Sequence, residues 1–280
     1  MPAKPKLGQN FLNDPQAIER IANALGDLSE RTVVEVGPGR GAITHALAAR
    51  AAHVLAIELD ADLAIRLRAD FDPARLTVVC RDVLTFDFAA AAEEYGLAGK
   101  LVLAGNLPYF ITSPILLKLA ASSAALDRAV LMVQREVAER VTAQPGSRDY
   151  GLLSVTVQMY GPAQLLFTLP PSAFTPPPEV HSAVFRWRFA PRFAELGVEE
   201  ASFLRFVRQC FAQKRKTLSN NLRAAGFSQD EIAAWIKRAK LPAQARAEAL
   251  SIEDLARLAR ILQEDRAAPQ DETAPAADLD

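Results

Sequence analysis

The chain has 280 residues, half of them hydrophobic and 23% charged, enough for one sizeable core and a smaller second domain of ordinary soluble composition. No apolar run is long enough to span a bilayer, and the Met1-Pro2-Ala3-Lys4 start lacks the apolar stretch of a secretory signal. Cys80 and Cys210 stand far apart with no Cys or His cluster near either, so neither a metal site nor a disulfide framework is indicated. A cytoplasmic protein is expected. The net charge of -1 by itself says nothing about nucleic acid.

Along the chain, short apolar β-branched runs alternate with helical patterns. Strands are predicted over residues 32–36, 53–58, 76–80, 101–104 and 129–133, and helices over 42–50, 62–71 and about 114–121. Continuous apolar strands separated by helices indicate a parallel sheet covered on both faces. The pattern changes near Pro170. A proline-rich stretch leads to one more strand over 183–189, and beyond Pro191 helices are predicted over 199–213, 217–225, 229–239 and 252–262. Ser228 and Glu231 have the spacing of a capping box, and Gly226 fits a helix stop before them. The fold class is therefore α/β, a Rossmann-like domain over residues 1–191 followed by a small helical domain over 192–264. Residues 265–280, acidic and rich in Ala and Pro, are expected to form a disordered tail.

In an open α/β sheet, ligands bind beyond the C-terminal strand ends, so the residues there carry the chemistry. Gly37-Pro38-Gly39-Arg40-Gly41 joins the first strand to the first helix, and Glu58 ends the second strand, where a carboxylate can accept both ribose hydroxyls of an adenosine. Gly37, Gly39, Ala42 and Glu58 also satisfy the dinucleotide fingerprint. On these residues alone, a nicotinamide enzyme and a methyltransferase stand nearly level. Asp82, after the third strand, can accept from a cofactor adenine amine or simply close a strand-end turn.

Asn106-Leu107-Pro108-Tyr109, after the fourth strand, separates the two. An aromatic exocyclic amine is a poor nucleophile because its lone pair is delocalised into the ring. Two acceptors on its hydrogens pull the nitrogen towards pyramidal geometry. The Asn106 side-chain oxygen can be one of them. The Leu107 carbonyl, held extended by the proline that follows, can be the other, and Tyr109 offers a ring for the base to stack on. The plainer alternative is an Asn-x-Pro turn with a buried Tyr.

This segment resembles the catalytic motif of the N6-adenine methyltransferases, in the form found in ribosomal RNA adenine dimethylases. Leu7-Gly8-Gln9-Asn10-Phe11-Leu12 resembles that family's N-terminal signature, and residues 174–184 from Phe174 through Pro176-Pro177-Pro178 to Val184 resemble its later motif. Residues 210–222, from Cys210 through Lys214-Arg215-Lys216 to Leu222, resemble the helical segment of its bacterial small-subunit branch. That resemblance implies S-adenosylmethionine as cofactor, held by Asn10, Leu12, Gly37, Gly39, Glu58, Asp82 and Asn106. It implies that Phe174 faces Tyr109 across a flipped adenine, with Leu107 and Pro108 completing the catalytic segment. It further implies methylation of N6 on two adjacent adenines in a 3′-terminal hairpin loop of 16S rRNA, in an immature small subunit. A monomer, no membrane association and no metal are expected. The plainer reading of Phe174 is an anchor for the proline-rich loop, and that of residues 9–12 is the entry to a helix near Pro15.

Between residues 203 and 246, ten bases stand against two acids, Asp230 and Glu231. Lys214, Arg215 and Lys216, with Arg208 and Arg223, are the candidate RNA contacts. Three rivals remain: a large-subunit rRNA methylase of the antibiotic-resistance type, a nicotinamide dehydrogenase, and a non-catalytic ribosome assembly factor.

Overall fold

A computed structural model describes residues 10–97 and 99–267. Leu7, Gly8 and Gln9 of the N-terminal signature therefore lie outside the described residues, as does the chain beyond residue 267. By its internal contacts the chain divides into two compact units, Met1–Gln144 with Arg148–Arg192, and Pro145–Ser147 with Phe193–Asp280.

The first unit runs β1 (Phe11–Leu12), α1 (Pro15–Ala24), β2 (Thr32–Val36), α2 (Ala42–Ala48), β3 (His53–Glu58), α3 (Ala61–Asp70), β4 (Leu76–Cys80) and α4 (Phe88–Glu94). It continues with β5 (Leu101–Asn106), α5 (Thr112–Ala121), β6 (Leu126–Gln134), α6 (Arg135–Thr142), α7 (Leu152–Met159), β7 (Ala163–Leu169), β8 (Phe174–Thr175) and β9 (Ser182–Arg188). Seven strands form one sheet in the order β4-β3-β2-β5-β6-β9-β7. The first five are parallel, and β9 and β7 close the edge antiparallel. Alternate strand residues, among them Val33, Val54, Ala56, Val102, Ala104, Val130 and Met132, share one buried cluster with Ile21 of α1, Leu25 just after that helix, and Ile43 and Leu47 of α2. The intervening residues Val34, Leu55, Leu103, Ala129 and Leu131 are also buried, so both faces of the sheet are covered.

Strand order reverses between β2 and β5, which opens a crevice at their C-terminal ends. Gly105 lets the two approach: a Cβ there would lie 2.7 Å from the Val36 carbonyl oxygen. The small pair β1–β8 sets Phe11 opposite Thr175 and Leu12 opposite Phe174. Two motifs far apart in sequence are thus joined backbone to backbone. Immediately after β1, Asp14 caps α1, accepting from the Gln16 and Ala17 amides, and Pro15 occupies the first turn, where no N–H is needed.

The second unit contains α8 (Glu200–Cys210), α9 (Leu218–Ala224), α10 (Gln229–Arg238) and α11 (Ile252–Ala267). The capping box at Ser228 and Glu231 is formed. In this unit two helix ends differ from the expected ones by more than one residue. Helix α8 stops at Cys210 instead of continuing to Gln213, because the Asn221 side chain draws the chain off the helical path. Asn221 Nδ2 donates to the Cys210 and Gln213 carbonyls (2.7 and 3.3 Å), and its Oδ1 accepts from the Gln213 amide (3.1 Å). Helix α11 continues through residues 265–267, which the sequence reading placed in the disordered tail. Asp265 is held there by the Trp235 indole N–H at 2.7 Å and by Arg238, so the acids at this end serve the helix packing.

Candidate active site

The crevice is lined by residues from every strand end the sequence singled out. Asn10 and Leu12, Gly37 and Gly39, Glu58, Asp82, and Asn106 to Tyr109 all contribute to one pocket. Gly37 and Gly39 both adopt left-handed backbone conformations, φ +68 and +59. A Cβ on Gly39 would meet the Phe11 ring at 3.0 Å, so only glycine leaves the loop this close to the N-terminal strand. The Arg40 guanidinium lies 4.3 Å from the centre of that same ring.

Glu58 is 3% exposed, and both its oxygens are oriented by backbone amides. Oε2 accepts from Gly39 at 3.0 Å and Oε1 from Asp60 at 2.9 Å. A carboxylate oxygen has more than one acceptor direction, so the group is fixed in place with capacity left for a diol. Asp82 lines the pocket while its Oδ1 accepts from the Leu84 amide at 2.9 Å. Both readings of this residue hold together: the turn that it closes sets it at the pocket wall.

Asn106 ends β5. Its Nδ2 donates to the Asn10 backbone carbonyl at 2.9 Å. A carbonyl can only accept, so this bond decides the amide's orientation and leaves Oδ1 as the acceptor that Asn106 offers. The Leu107 amide donates to the Met132 carbonyl at 2.9 Å, anchoring the segment to β6. Pro108 opens a short 3-10 turn over Tyr109–Ile111, and its carbonyl accepts from the Thr112 hydroxyl at 3.0 Å. The Tyr109 phenol oxygen lies 2.6 Å from the Ser182 Oγ. Burial pushes the Tyr109 phenol above its ordinary pKa, with the Ser182 hydrogen bond opposing, so it is neutral at physiological pH.

The structure does not bring Phe174 into this pocket. Its side chain is 2% exposed and packs in the core cluster that contains Leu12, so here it anchors the proline-rich loop. Lys214, Arg215, Lys216, Arg208 and Arg223 belong to the second unit, where all five are exposed. Arg246 donates to the Arg215 carbonyl at 2.7 Å, and Arg238 is committed to Glu264 and Asp265. Not every base in that region is therefore available to a phosphate.

Sequence reasoning missed Glu35. It lines the pocket from β2 and is 1% exposed. Burial pushes its carboxyl up to about 7; the nearby Thr44 hydroxyl favours the anion and the Glu58 charge disfavours it. Neither Glu35 Oε2 nor the Thr44 hydroxyl has a partner at hydrogen-bonding geometry. A single acid inside the apolar run Thr32-Val33-Val34-Glu35-Val36 was the available signal. Because the folded carboxyl titrates above its unfolded value, the native state holds the extra proton between about 4.5 and 7. The stability of the ligand-free protein should accordingly fall as pH rises through that window. Glu35→Gln should remove this part of the decline in Tm, and an identical pH profile for the variant would show that Glu35 is not the group responsible.

These groups suit S-adenosylmethionine. The buried acids Glu35 and Glu58 and the half-buried Asp82 complement a cation bearing a ribose diol and an adenine amine, while the glycine turn gives a backbone approach. Fold and site together define a methyltransferase that uses S-adenosylmethionine. Within that class, the sequence pattern of the family described as ribosomal RNA adenine dimethylase matches residues 2–264, and the chain belongs to this family.

Relatives agree along nearly the whole length. The chain is 56% identical over 262 residues to a ribosomal RNA small subunit methyltransferase A from Acidobacterium capsulatum, covering 93% of this chain and 92% of the relative. It is 45% identical over 265 residues to the protein of that name from Koribacter versatilis, covering 91% and 93%. Among solved structures, the 23S rRNA methyltransferase ErmE superposes with a TM-score of 0.68 at 26% identity, covering 91% of this chain and 100% of that one. A dimethyladenosine transferase from Plasmodium falciparum superposes at 0.74 over 91% of this chain and 98% of its own; at 23% identity this speaks for the fold.

Proposed function

We propose that this protein methylates N6 of two adjacent adenines in the 3′-terminal hairpin loop of 16S rRNA. In this reading it acts as a cytoplasmic monomer on an immature small ribosomal subunit, as a step linked to biogenesis of that subunit. The observation that carries the adenine chemistry is the Asn106–Asn10 hydrogen bond, which fixes Asn106 Oδ1 as an acceptor at the C-terminal end of β5. The choice of the small subunit rests on the 56% identical relative, set against 26% identity to the 23S enzyme.

S-adenosylmethionine, when bound, supplies an electrophilic methyl group. Asn106 Oδ1 and the Leu107 carbonyl take the two amine hydrogens of the target adenine and localise its lone pair. Tyr109 receives the face of the base once it has left its stack. Glu58 and Asp82 would hold the nucleoside of the cofactor, with the glycine turn lining the same pocket. No strong general base is needed, because the amine proton becomes acidic once the nitrogen is alkylated. Rate enhancement then comes from positioning and preorganised dipoles. Mass spectrometry of rRNA nucleosides from cells lacking this protein tests the proposal. Loss of dimethyladenosine from 16S rRNA is expected; loss from 23S rRNA instead would overturn the assignment.

The exposed turn Lys214-Arg215-Lys216 is proposed to bind phosphates, making the helical unit part of the RNA surface. Replacing all three by Ala should weaken RNA binding and flatten its salt dependence, each lost contact lowering the log–log slope by about 0.7–0.9. Cofactor affinity should stay unchanged, since the pocket belongs to the first unit. An unaltered slope in a salt titration would move the RNA surface elsewhere.

A further inference from the structure

We propose that Ser182 is a positioning residue that locks the Tyr109 ring in the pose that receives the target base. This rests on the adenine chemistry argued above. Ser182 is fully buried and opens β9, where it registers with Gln134 of β6 on one side and Leu169 of β7 on the other. Strands on both sides hold its backbone in place. Tyr109, by contrast, begins a three-residue 3-10 turn and is only partly buried. A ring in such a turn keeps freedom to swing about its side-chain torsions, and a stacking platform that swings loses its value to the reaction.

The 2.6 Å contact between the phenol oxygen and Ser182 Oγ removes that freedom by tying the far end of the ring to the sheet. At the near end, the Thr112 hydroxyl bonds to the Pro108 carbonyl and holds the start of the turn. The turn is thus held at its start, and the ring at its far end by a residue 73 positions further along the chain. The arrangement requires a tyrosine: phenylalanine would present the same stacking face without the tether, and would leave the buried Ser182 hydroxyl without this partner. The phenol does not serve as a base, since burial keeps it neutral.

Four proteins test the tether: wild type, S182A, Y109F and the double variant, each assayed for methyl transfer to immature small subunits. Both single variants should lower kcat/KM by about 3–10-fold, the scale of one hydrogen bond. The double variant should be no worse than either, because both changes cut the same link. An ultraviolet titration of the ligand-free proteins, with Y109F identifying the Tyr109 signal, should show the phenol titrating at higher pH in S182A. Additive losses in the double variant, wild-type turnover by S182A or an unmoved phenol transition would each overturn the tether. Y109F leaves Ser182 in place and keeps the test available should S182A fail to fold. Absence of adenine methylation by the wild-type protein would instead refute the adenine chemistry, and the phenol titration would still report on the tether.

Discussion

Asn106→Ala is expected to slow methyl transfer at least about a hundredfold, the scale of one preorganised group that acts in the transition state. The side chain works at both ends. Its Nδ2 is spent on the Asn10 carbonyl, and that bond leaves Oδ1 for the amine. Alanine removes both, so a small loss of stability, about 1 kcal/mol for the missing hydrogen bond, should accompany the large loss of rate. Asn106→Asp separates the two contributions. It keeps an acceptor of similar shape but sets a carboxylate oxygen against the Asn10 carbonyl, so the segment loses its orientation. Both variants should bind RNA normally, because the phosphate contacts are proposed on the helical unit. Single-turnover rates on immature subunits provide the check, and wild-type turnover by Asn106→Ala would falsify the proposed activation of the amine.

Phe174→Ala should cost about 3–5 kcal/mol of stability, the usual range for emptying a buried phenylalanine site. The ring is 2% exposed, and its residue pairs with Leu12 across β1–β8. A cavity there would loosen Leu12, which lines the cofactor pocket. Denaturant unfolding reads the stability, and a loss below about 1 kcal/mol would show that the ring is not part of the core. Phe174→Leu supplies the complementary measurement: it fills most of the volume and removes only the aromatic face. Turnover close to wild type is expected for the leucine variant. A large loss of turnover at retained stability would give Phe174 the base-stacking role that the family resemblance implies.

The central strands were legible because β2, β3, β4, β5 and β6 are continuous apolar runs, and a strand buried on both faces writes itself that way. The elements that escaped notice lack such a mark. Strand β7 mixes half-buried and exposed residues with no regular alternation until Leu169, as an edge strand can. Helix α6 starts directly at the end of β6 with no side-chain cap, and α7 follows the cap residue Gly151, where the signal is Ser154 reaching back to the Gly151 amide. At the site, residues within one motif could be read because each strand end delivers its own loop to the crevice. Tyr109 with Ser182, and Leu12 with Phe174, were not readable as pairs, since tertiary packing alone brings them together. The placement of Phe174 shows the same limit. The motif suggested a role for the aromatic ring, and packing decided where the ring lies.

Asn221 gives the basic turn a property that its charges alone could not. Three adjacent cations repel one another, and a loose loop would spread them apart and collect them again only on meeting a polyanion. Here one buried amide grips the backbone at Cys210 and Gln213 just ahead of Lys214, while Arg246 holds the carbonyl of Arg215. The ordering of this backbone is completed when the helical unit folds. If the turn binds phosphates as proposed, an arriving strand would meet a template already cut to shape, and less of its binding energy would go into freezing the loop.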